Sequence, residues 1–335
     1  MVDLVKKRRS HLGILLLLLY AMAPIIIKNT YVIRVMNMCM LYSIIALSIN
    51  LIVGISGQLD FGRSAFVGLG AYASALLTKN LGVPFLLSLA ISGLFCAAVG
   101  FFLGFLCRKS AFDYLTLITI GFNVICQQAF LNMQDLTGGA MGIRKVPHAS
   151  IFGFTFDNNT KYFYLALVLL ILSYFAVKFI IDSKWGRAFE ALRDDPIAAA
   201  YSGIKVADYK VLCFTLGSFI TGIAGAALVH YTNYASPYNY TLDESVLLLQ
   251  MPILGGLGSL PGSIIGSAIL IIVPEISRTF YDYRLMFVGI LMVVLMIWAP
   301  NGLLGKNGIG EKVIGLRRLL TGQESKTVNE TTEVK

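Results

Sequence analysis

Long apolar stretches recur along most of the chain and predict transmembrane helices. Most are close to the roughly 20 residues that an α-helix needs to cross a bilayer. They cover residues 12–27, 35–53, 64–80, 84–107, 112–132, 162–181, 211–233, 245–258, 262–280 and 284–300. The pattern predicts an all-α integral membrane protein with about ten transmembrane helices. The segment 245–258 is short for a span and could instead be a broken or re-entrant helix.

Composition supports a membrane protein and excludes an ordinary soluble domain. The chain is 57% hydrophobic and 13% charged, with a mean hydropathy of +0.75, whereas a soluble domain has about 25% charged residues. We therefore expect residues 1–305 to form one transmembrane domain. Residues 306–335 are polar and lack a periodic apolar pattern, so we expect a partly disordered cytoplasmic tail.

The excess of basic residues indicates how the chain is oriented in the membrane. The net charge is +9, but the positive residues lie at the ends of apolar segments, which argues against nucleic-acid binding. If ten helices alternate in direction, 18 Lys and Arg share the side of the N-terminus and 8 lie on the other side. The positive-inside rule then places both termini in the cytoplasm. With this count, spans 2–5 and 7–10 could form an inverted repeat.

The chain shows no candidate catalytic residue and no candidate metal ligand. Its five Cys have no paired spacing and its three His are far apart, so the Cys are expected to be packing residues. There is no GxxxxGK[ST] phosphate-binding loop, so we predict a non-enzymatic chain that binds no cofactor directly. No ionisable residue is expected deep within a span, and Arg63 is assigned to a cytoplasmic boundary. This argues against proton- or sodium-coupled transport.

A polar segment, residues 182–210, separates the apolar segments 162–181 and 211–233. It predicts two short helices, because Asp195 can cap a helix that Pro196 begins, and Gly203 can end that helix with a positive φ. A rigid loop of this kind suits the docking of a partner protein. A surface loop lying on the bilayer is the alternative.

Two glycine-rich segments interrupt the apolar pattern. With the neighbouring amides and a proline they form the candidate transport pathway: Asn50, Gly54, Gly57, Gln58, Gly62, Gly255, Gly256, Gly258, Pro261 and Gly262. Such interruptions are tolerated where the backbone lines a cavity or is buried in protein, and paired interruptions point to a substrate path. Close helix packing is the alternative, and it fits the spacing of Gly100 with Gly104 and of Gly262 with Gly266.

The polar segment resembles the coupling motif of ABC importer permeases, and the chain resembles the branched-chain amino-acid permease family of LivM type. The loop matches GRAxxAxRxxxxAAxxxGI, and the residues that carry the match are Gly186, Arg187, Ala191, Arg193, Ala198, Ala199 and Gly203. Further matches are LSINLIVGISGQLDFGRSAFVGLGAY, LGGLGSLPGSIIGSAI and the outer-loop LTGG with Thr137, Gly138 and Gly139. The family's usual Ser-Leu-Gly-His is Asp-Phe-Gly-Arg at residues 60–63.

This resemblance implies a permease subunit of an ATP-binding cassette importer for branched-chain or related amino acids. The implied partners are a second homologous permease, two cytoplasmic ATPase subunits that use ATP, and an extracytoplasmic solute-binding protein. The implied location is a bacterial or archaeal plasma membrane. Relatives that carry urea or short amides leave the cargo open, and an ATP-independent channel or secondary transporter is a further alternative.

Overall fold

The computed structural model is a helical bundle, and it describes residues 29–108, 112–151, 153–276 and 302–305 with a few single positions elsewhere. The helices are α1 Thr30–Ile49, which continues as a π-helix over Asn50–Ile55, α2 Arg63–Asn80, α3 Phe85–Cys107, α4 Phe112–Asn132, α5 Gln134–Thr137, α6 Asn159–Asp182, α7 Lys184–Asp194, α8 Pro196–Tyr201, α9 Val206–Thr232, α10 Leu242–Gly255 and α11 Leu260–Ile276. The strands are β1 Ile143–Arg144, β2 Ser150–Ile151, β3 Phe154–Thr155 and β4 Tyr234–Ala235, and short 3₁₀-helices cover Gly139–Met141 and Pro237–Asn239.

Five of the described helices are long and apolar enough to cross a membrane. They are Thr30–Ile55, Phe85–Cys107, Tyr114–Asn132, Asn159–Asp182 and Val206–Thr232. Eight of the ten predicted apolar segments coincide with helices of the structure. The segments 12–27 and 284–300 lie almost entirely outside the described residues, so the count of ten stays a prediction.

The outer helices expose large apolar side chains, as expected for a protein embedded in lipid. Phe102 on α3 is 62% exposed, Leu117 on α4 is 65% exposed and Phe179 on α6 is 75% exposed. Exposure of such a continuous apolar surface to water would be unfavourable. By contrast, α1 is almost entirely buried and forms the centre of the bundle.

Small residues allow α9 to pack tightly against α2 and α3. A Cβ atom added to Gly70 of α2 would lie 2.3 Å from the carbonyl oxygen of Gly222, and one added to Gly100 of α3 would lie 2.4 Å from the Ser218 hydroxyl. Gly104 also contacts α9, through Val211. The packing interpretation of Gly100 and Gly104 is therefore confirmed.

Two helices begin inside the bundle. At the start of α2, the Ser64 N–H donates to the Ser245 hydroxyl near the start of α10 (2.9 Å), and the Ser64 hydroxyl donates to the Thr241 carbonyl (2.6 Å). The buried Asn123 of α4 donates to both serine hydroxyls. From this interior point α10 has only 14 residues, or about 21 Å, which explains why its apolar segment is too short for a span.

The interior start of α2 corrects one expectation from the sequence. Arg63 and Asp60 are fully buried as an ion pair, and the Arg63 Nη1 donates to Thr221 Oγ1 at 3.3 Å. Thr221 lies roughly 22 Å along α9. The assignment of Arg63 to a cytoplasmic boundary is therefore wrong, because the connection 56–62 turns back into the bundle.

The five cysteines lie where the sequence placed them, in packed helices. All of them are free and buried, and Cys96 and Cys213 have no exposed surface. They fill space between helices, as expected for small apolar side chains.

Candidate functional site

The 182–210 loop folds into two short helices, α7 and α8, with a sharp turn between them. Ser183 caps α7 by accepting a hydrogen bond from the Trp185 N–H at 3.1 Å. Asp195 Oδ1 accepts from the N–H groups of Ile197 (2.8 Å) and Ala198 (3.1 Å), and Pro196 takes the first helical position. Gly203 follows α8 with φ +84°. The predicted helix start and helix end are therefore present.

One face of the loop is anchored and the other is exposed. Phe189 and Leu192 lie on the inner face of α7 and are fully buried. Gly186 approaches the end of α6 so closely that a Cβ atom would lie 2.0 Å from the Ile181 carbonyl oxygen. On the outer face, Ile197 is 69% exposed and Tyr201 is 89% exposed. Exposed apolar side chains on a well-anchored element are typical of a protein-docking surface.

The remaining candidate residues of the loop are divided between these two faces. Arg187, Ala198 and Gly203 are exposed, Ala191 is half-buried, and Ala199 is buried. The Arg187 guanidinium donates to the Asp182 carbonyl at 3.5 Å, which holds it at the junction of α6 and α7. The exposed alanines of α8 leave space for another surface to approach.

Arg193, at the end of α7, connects the loop to the first interrupted segment and lies close to the second. Its Nη1 donates a hydrogen bond to the Gly54 carbonyl in the π-helix. A Cβ atom on Gly57 (φ +74°) would lie 3.1 Å from Arg193 Cγ, and one on Gly258 (φ +83°) would lie 3.5 Å from Arg193 Nη1. Arg193 is therefore hydrogen-bonded to the first interrupted segment and lies beside Gly57 and Gly258.

The two interrupted segments also contact each other directly. Asn50 is fully buried, and its Oδ1 accepts a hydrogen bond from the Gly258 N–H at 2.8 Å. A Cβ atom on Gly54 would lie 2.7 Å from the Gly258 nitrogen and 1.9 Å from Asn50 Oδ1. Asn50 begins the π-helix, and π-helical turns frequently occur at functional sites.

The second segment is a tight helical hairpin formed by α10 and α11. Gly255 and Gly262 face each other so closely that a Cβ atom on Gly255 would lie 2.0 Å from the Gly262 carbonyl oxygen. Gly256 has φ +112°, and residues 302–305 pack against it through hydrogen bonds to the carbonyls of residues 254 and 255. Pro261 is exposed near the start of α11. Gly255 and Gly262 therefore serve packing, whereas Gly258 faces Arg193.

Beyond Gly57, the connection 56–62 leads from this junction to the buried ion pair. The Gln58 amide donates to the Ser56 hydroxyl, and the Gly62 N–H donates to Asp60 Oδ1 at 2.8 Å. The Arg63 guanidinium also stacks on Phe66 and Phe214, at 5.1 and 4.9 Å from the ring centroids. The charged pair that departs from the family pattern is thus well packed and joins α2 to α9.

The outer-loop residues lie at the opposite end of the bundle. Thr137 is buried and donates to the Phe130 carbonyl (2.7 Å), while Gly138 and Gly139 have φ +75° and +57°. The following strand β1 pairs antiparallel with β4, with Ile143 opposite Ala235. This segment closes the end of the bundle that is remote from α7, and it shares no contact with Arg193.

Sequence reasoning missed the connection through Arg193. It grouped Arg193 with the loop and the glycines with a pathway, but nothing in the pattern showed that one contacts the others. The hydrogen-bonded cluster of Ser64, Ser245 and Asn123 was not predicted either. The sequence feature that could have indicated this cluster is a serine at the start of each of the apolar segments 64–80 and 245–258.

The architecture defines a multi-pass membrane protein with an anchored polar loop next to interrupted helices, the arrangement of a transport permease. The chain belongs to the family described as branched-chain amino acid transport system / permease component, whose model matches residues 31–296.

Curated relatives agree with this membership. The chain is 34% identical to the high-affinity branched-chain amino acid transport system permease protein LivM of Escherichia coli K12, covering 89% of this chain and 75% of the relative. It is 26% identical to LivH of the same organism, covering 81% and 93%. It is 25% identical to the fructose import permease protein FrcC of Rhizobium meliloti, covering 72% and 70%. No solved structure matches the chain significantly.

The buried ion pair supplies a prediction about stability. Replacing Arg63 by Met should destabilise the folded protein by about 3–5 kcal/mol, because Asp60 would remain buried without its partner. The double variant Asp60→Asn with Arg63→Met should recover a large part of this loss. Thermal unfolding of the detergent-solubilised protein measures both effects. Equal losses of stability in the single and double variants would contradict the assignment of Asp60 and Arg63 as a buried ion pair.

Proposed function

We propose that the chain is a membrane subunit of an ATP-binding cassette importer for branched-chain amino acids. The observation that carries the proposal is the two-helix 182–210 loop, hydrogen-bonded through Arg193 to the first interrupted segment, which itself contacts the second. Family membership and the likeness to LivM and LivH support the class and the cargo. An importer of this kind needs a docking surface because the transport subunit does not itself hydrolyse ATP.

The proposed partners follow from the same observations. Because the chain resembles both LivM and LivH, a second, homologous permease is its natural membrane partner. Two cytoplasmic ATPase subunits would use ATP and dock on the exposed face of α7 and α8. An extracytoplasmic solute-binding protein would deliver cargo at the opposite end, where β1 and β4 pair.

The coupling step is a displacement of α7. When the ATPase subunits close, they move the 182–210 loop. Arg193 then shifts the backbone at Gly54, to which it is hydrogen-bonded, and the movement passes to the turn at Gly258, because the Gly258 N–H donates to Asn50 of the same π-helix. The first segment leads to the interior start of α2, and the turn at Gly258 follows the end of α10, so the displacement reaches both helices that begin inside the bundle.

The placement in the membrane is part of the proposal. The protein would lie in a bacterial or archaeal plasma membrane with both termini in the cytoplasm, as the distribution of Lys and Arg favours. Ten spans and an inverted repeat of spans 2–5 and 7–10 belong to this proposal as the sequence predicts them. The alternatives are a cargo of urea or short amides, and a channel or secondary transporter independent of ATP.

Substitution of Gly203 tests the docking surface. Gly203→Arg should abolish co-purification of the ATPase subunits and ATP-dependent uptake, because a long cationic side chain would stand on the exposed face. Gly82→Arg is the matched control: Gly82 also has a positive φ and open space around it, but it lies at the opposite end. It should leave ATPase co-purification unchanged.

Both substitutions impose a similar backbone strain, of about 1–2 kcal/mol for a side chain with positive φ. A difference between them therefore reports on docking, provided that both variants insert in the membrane. Normal ATPase association in the Gly203→Arg complex would refute the docking surface.

Uptake by the reconstituted complex tests the cargo. Proteoliposomes that contain both permeases and the ATPases, with the binding protein outside and ATP inside, should accumulate leucine, isoleucine and valine but not urea. Uptake of urea without leucine would replace the proposed cargo, and leucine uptake without ATP would favour the secondary transporter.

A further inference from the structure

A short segment late in the chain, residues 302–305, lies against the turn that joins α10 to α11. It belongs to the sequence APNGLLG, residues 299–305, which follows the last predicted apolar segment. Gly302 and Gly305 are buried, and Leu303 packs against the hydrophobic core. The segment is therefore part of the folded bundle, although it lies far from α10 in the sequence.

The 302–305 segment supplies a C-terminal cap for α10. The last carbonyl groups of a helix have no partner within that helix, and in a membrane protein such groups must be satisfied inside the protein. The Leu303 N–H donates to the Leu254 carbonyl at 3.1 Å, and the Leu304 N–H donates to the Gly255 carbonyl at 2.9 Å. These two hydrogen bonds satisfy the carbonyls of the final two residues of α10.

Two glycines allow this contact, because the two backbones touch. A Cβ atom on Gly302 (φ +76°) would lie 2.3 Å from the Gly256 Cα, and one on Gly256 (φ +112°) would lie 2.3 Å from the Gly305 nitrogen. Both neighbouring atoms belong to the backbone, which cannot rotate away as a flexible side chain can. A side chain at position 302 would therefore push the segment off the turn.

The capped turn also contacts the π-helix at the end of α1. The Ser259 N–H donates to the Gly256 carbonyl at 3.1 Å, which closes the turn. Between these two residues, the Gly258 N–H donates to Asn50 Oδ1 at 2.8 Å. The turn is thus bonded to the π-helix and lies directly against the 302–305 segment. A displacement of Asn50 moves α10 as a unit only if the turn does not deform.

We propose that residues 302–305 are a positioning element of the coupling path, and that they keep the turn between α10 and α11 stiff so that a movement of the π-helix reaches α10. The inference rests on the proposed function and adds to it a segment outside the 182–210 loop. Near its start, α10 contacts α2 through Ser245 and Ser64, so a displacement of the whole helix reaches the interior of the bundle. With a loose turn, ATP hydrolysis would continue while import falls.

Substitution of Gly302 by Ala displaces the segment. In proteoliposomes with the complete complex and loaded binding protein, the leucine imported per ATP hydrolysed should fall at least about fivefold, as expected from the loss of two neutral hydrogen bonds. The ATPase subunits should stay bound and the rate of ATP hydrolysis should stay close to wild type, because the 182–210 loop is unchanged.

Gly82→Ala is the matched control. Gly82 also has a positive φ, but a Cβ atom there would meet no other atom within 4 Å, so the variant imposes a similar backbone strain without displacing a neighbour. Its leucine import per ATP should equal that of the wild type. Wild-type coupling in Gly302→Ala, or an equal loss in Gly82→Ala, would overturn the inference.

A double variant separates a role in coupling from a merely structural one. Arg193→Ala interrupts the same path earlier, at the hydrogen bond to Gly54. If both residues act in one path, the double variant Arg193→Ala with Gly302→Ala should import about as much leucine per ATP as Arg193→Ala alone, since changes within one network are not additive. Losses that multiply would show that the 302–305 segment acts independently of Arg193, and would overturn its place in the path.

Hydrogen exchange of the wild-type complex tests the cap without any substitution. The amides of Leu303 and Leu304 should exchange as slowly as those in the last turn of α10, because both are hydrogen-bonded to that helix. Fast exchange of these two amides would overturn the inference even if the Gly302→Ala complex does not assemble. Failure of the proposed function would appear instead in the wild-type complex, as absence of ATP-dependent leucine uptake.

Discussion

The contact between Arg193 and the backbone at Gly54 is the interaction on which the proposed mechanism depends. Without it, the 182–210 loop would lose its hydrogen bond to the π-helix and would depend on buried side chains such as Phe189 and Leu192 for its attachment to the bundle. With it, the last turn of α7 is hydrogen-bonded to the π-helix at the end of α1, and that π-helix in turn contacts the turn between α10 and α11 through Asn50 and Gly258. An arginine suits this role because its planar guanidinium presents several donors in a fixed geometry.

A second constraint acts in the centre of the bundle. Helix starts within a membrane protein must find hydrogen-bond partners in the protein, since lipid supplies none. The starts of α2 and α10 meet this requirement for each other through Ser64, Ser245 and Asn123.

The sequence predicted the elements well and their contacts poorly. Apolar length placed α3, α4 and α6 accurately, and Asp195 with Pro196 marked the start of α8. These features are local. The burial of Arg63 was not predicted, because its charge suggested a boundary, and only the path of residues 56–62 into the bundle reveals its packing on Phe214. The cluster of Ser64, Ser245 and Asn123 was likewise hidden, since its members come from segments far apart in the chain.

Coupling between ATP hydrolysis and transport in an Arg193→Ala complex tests the central claim most directly. The exposed Lys205 of the same loop provides the control variant Lys205→Ala. If Arg193 transmits the movement of α7, its variant should retain bound ATPase subunits and ATP hydrolysis but import at least about tenfold less leucine per ATP, as expected from the loss of a charged hydrogen bond. Wild-type coupling in Arg193→Ala would contradict the account.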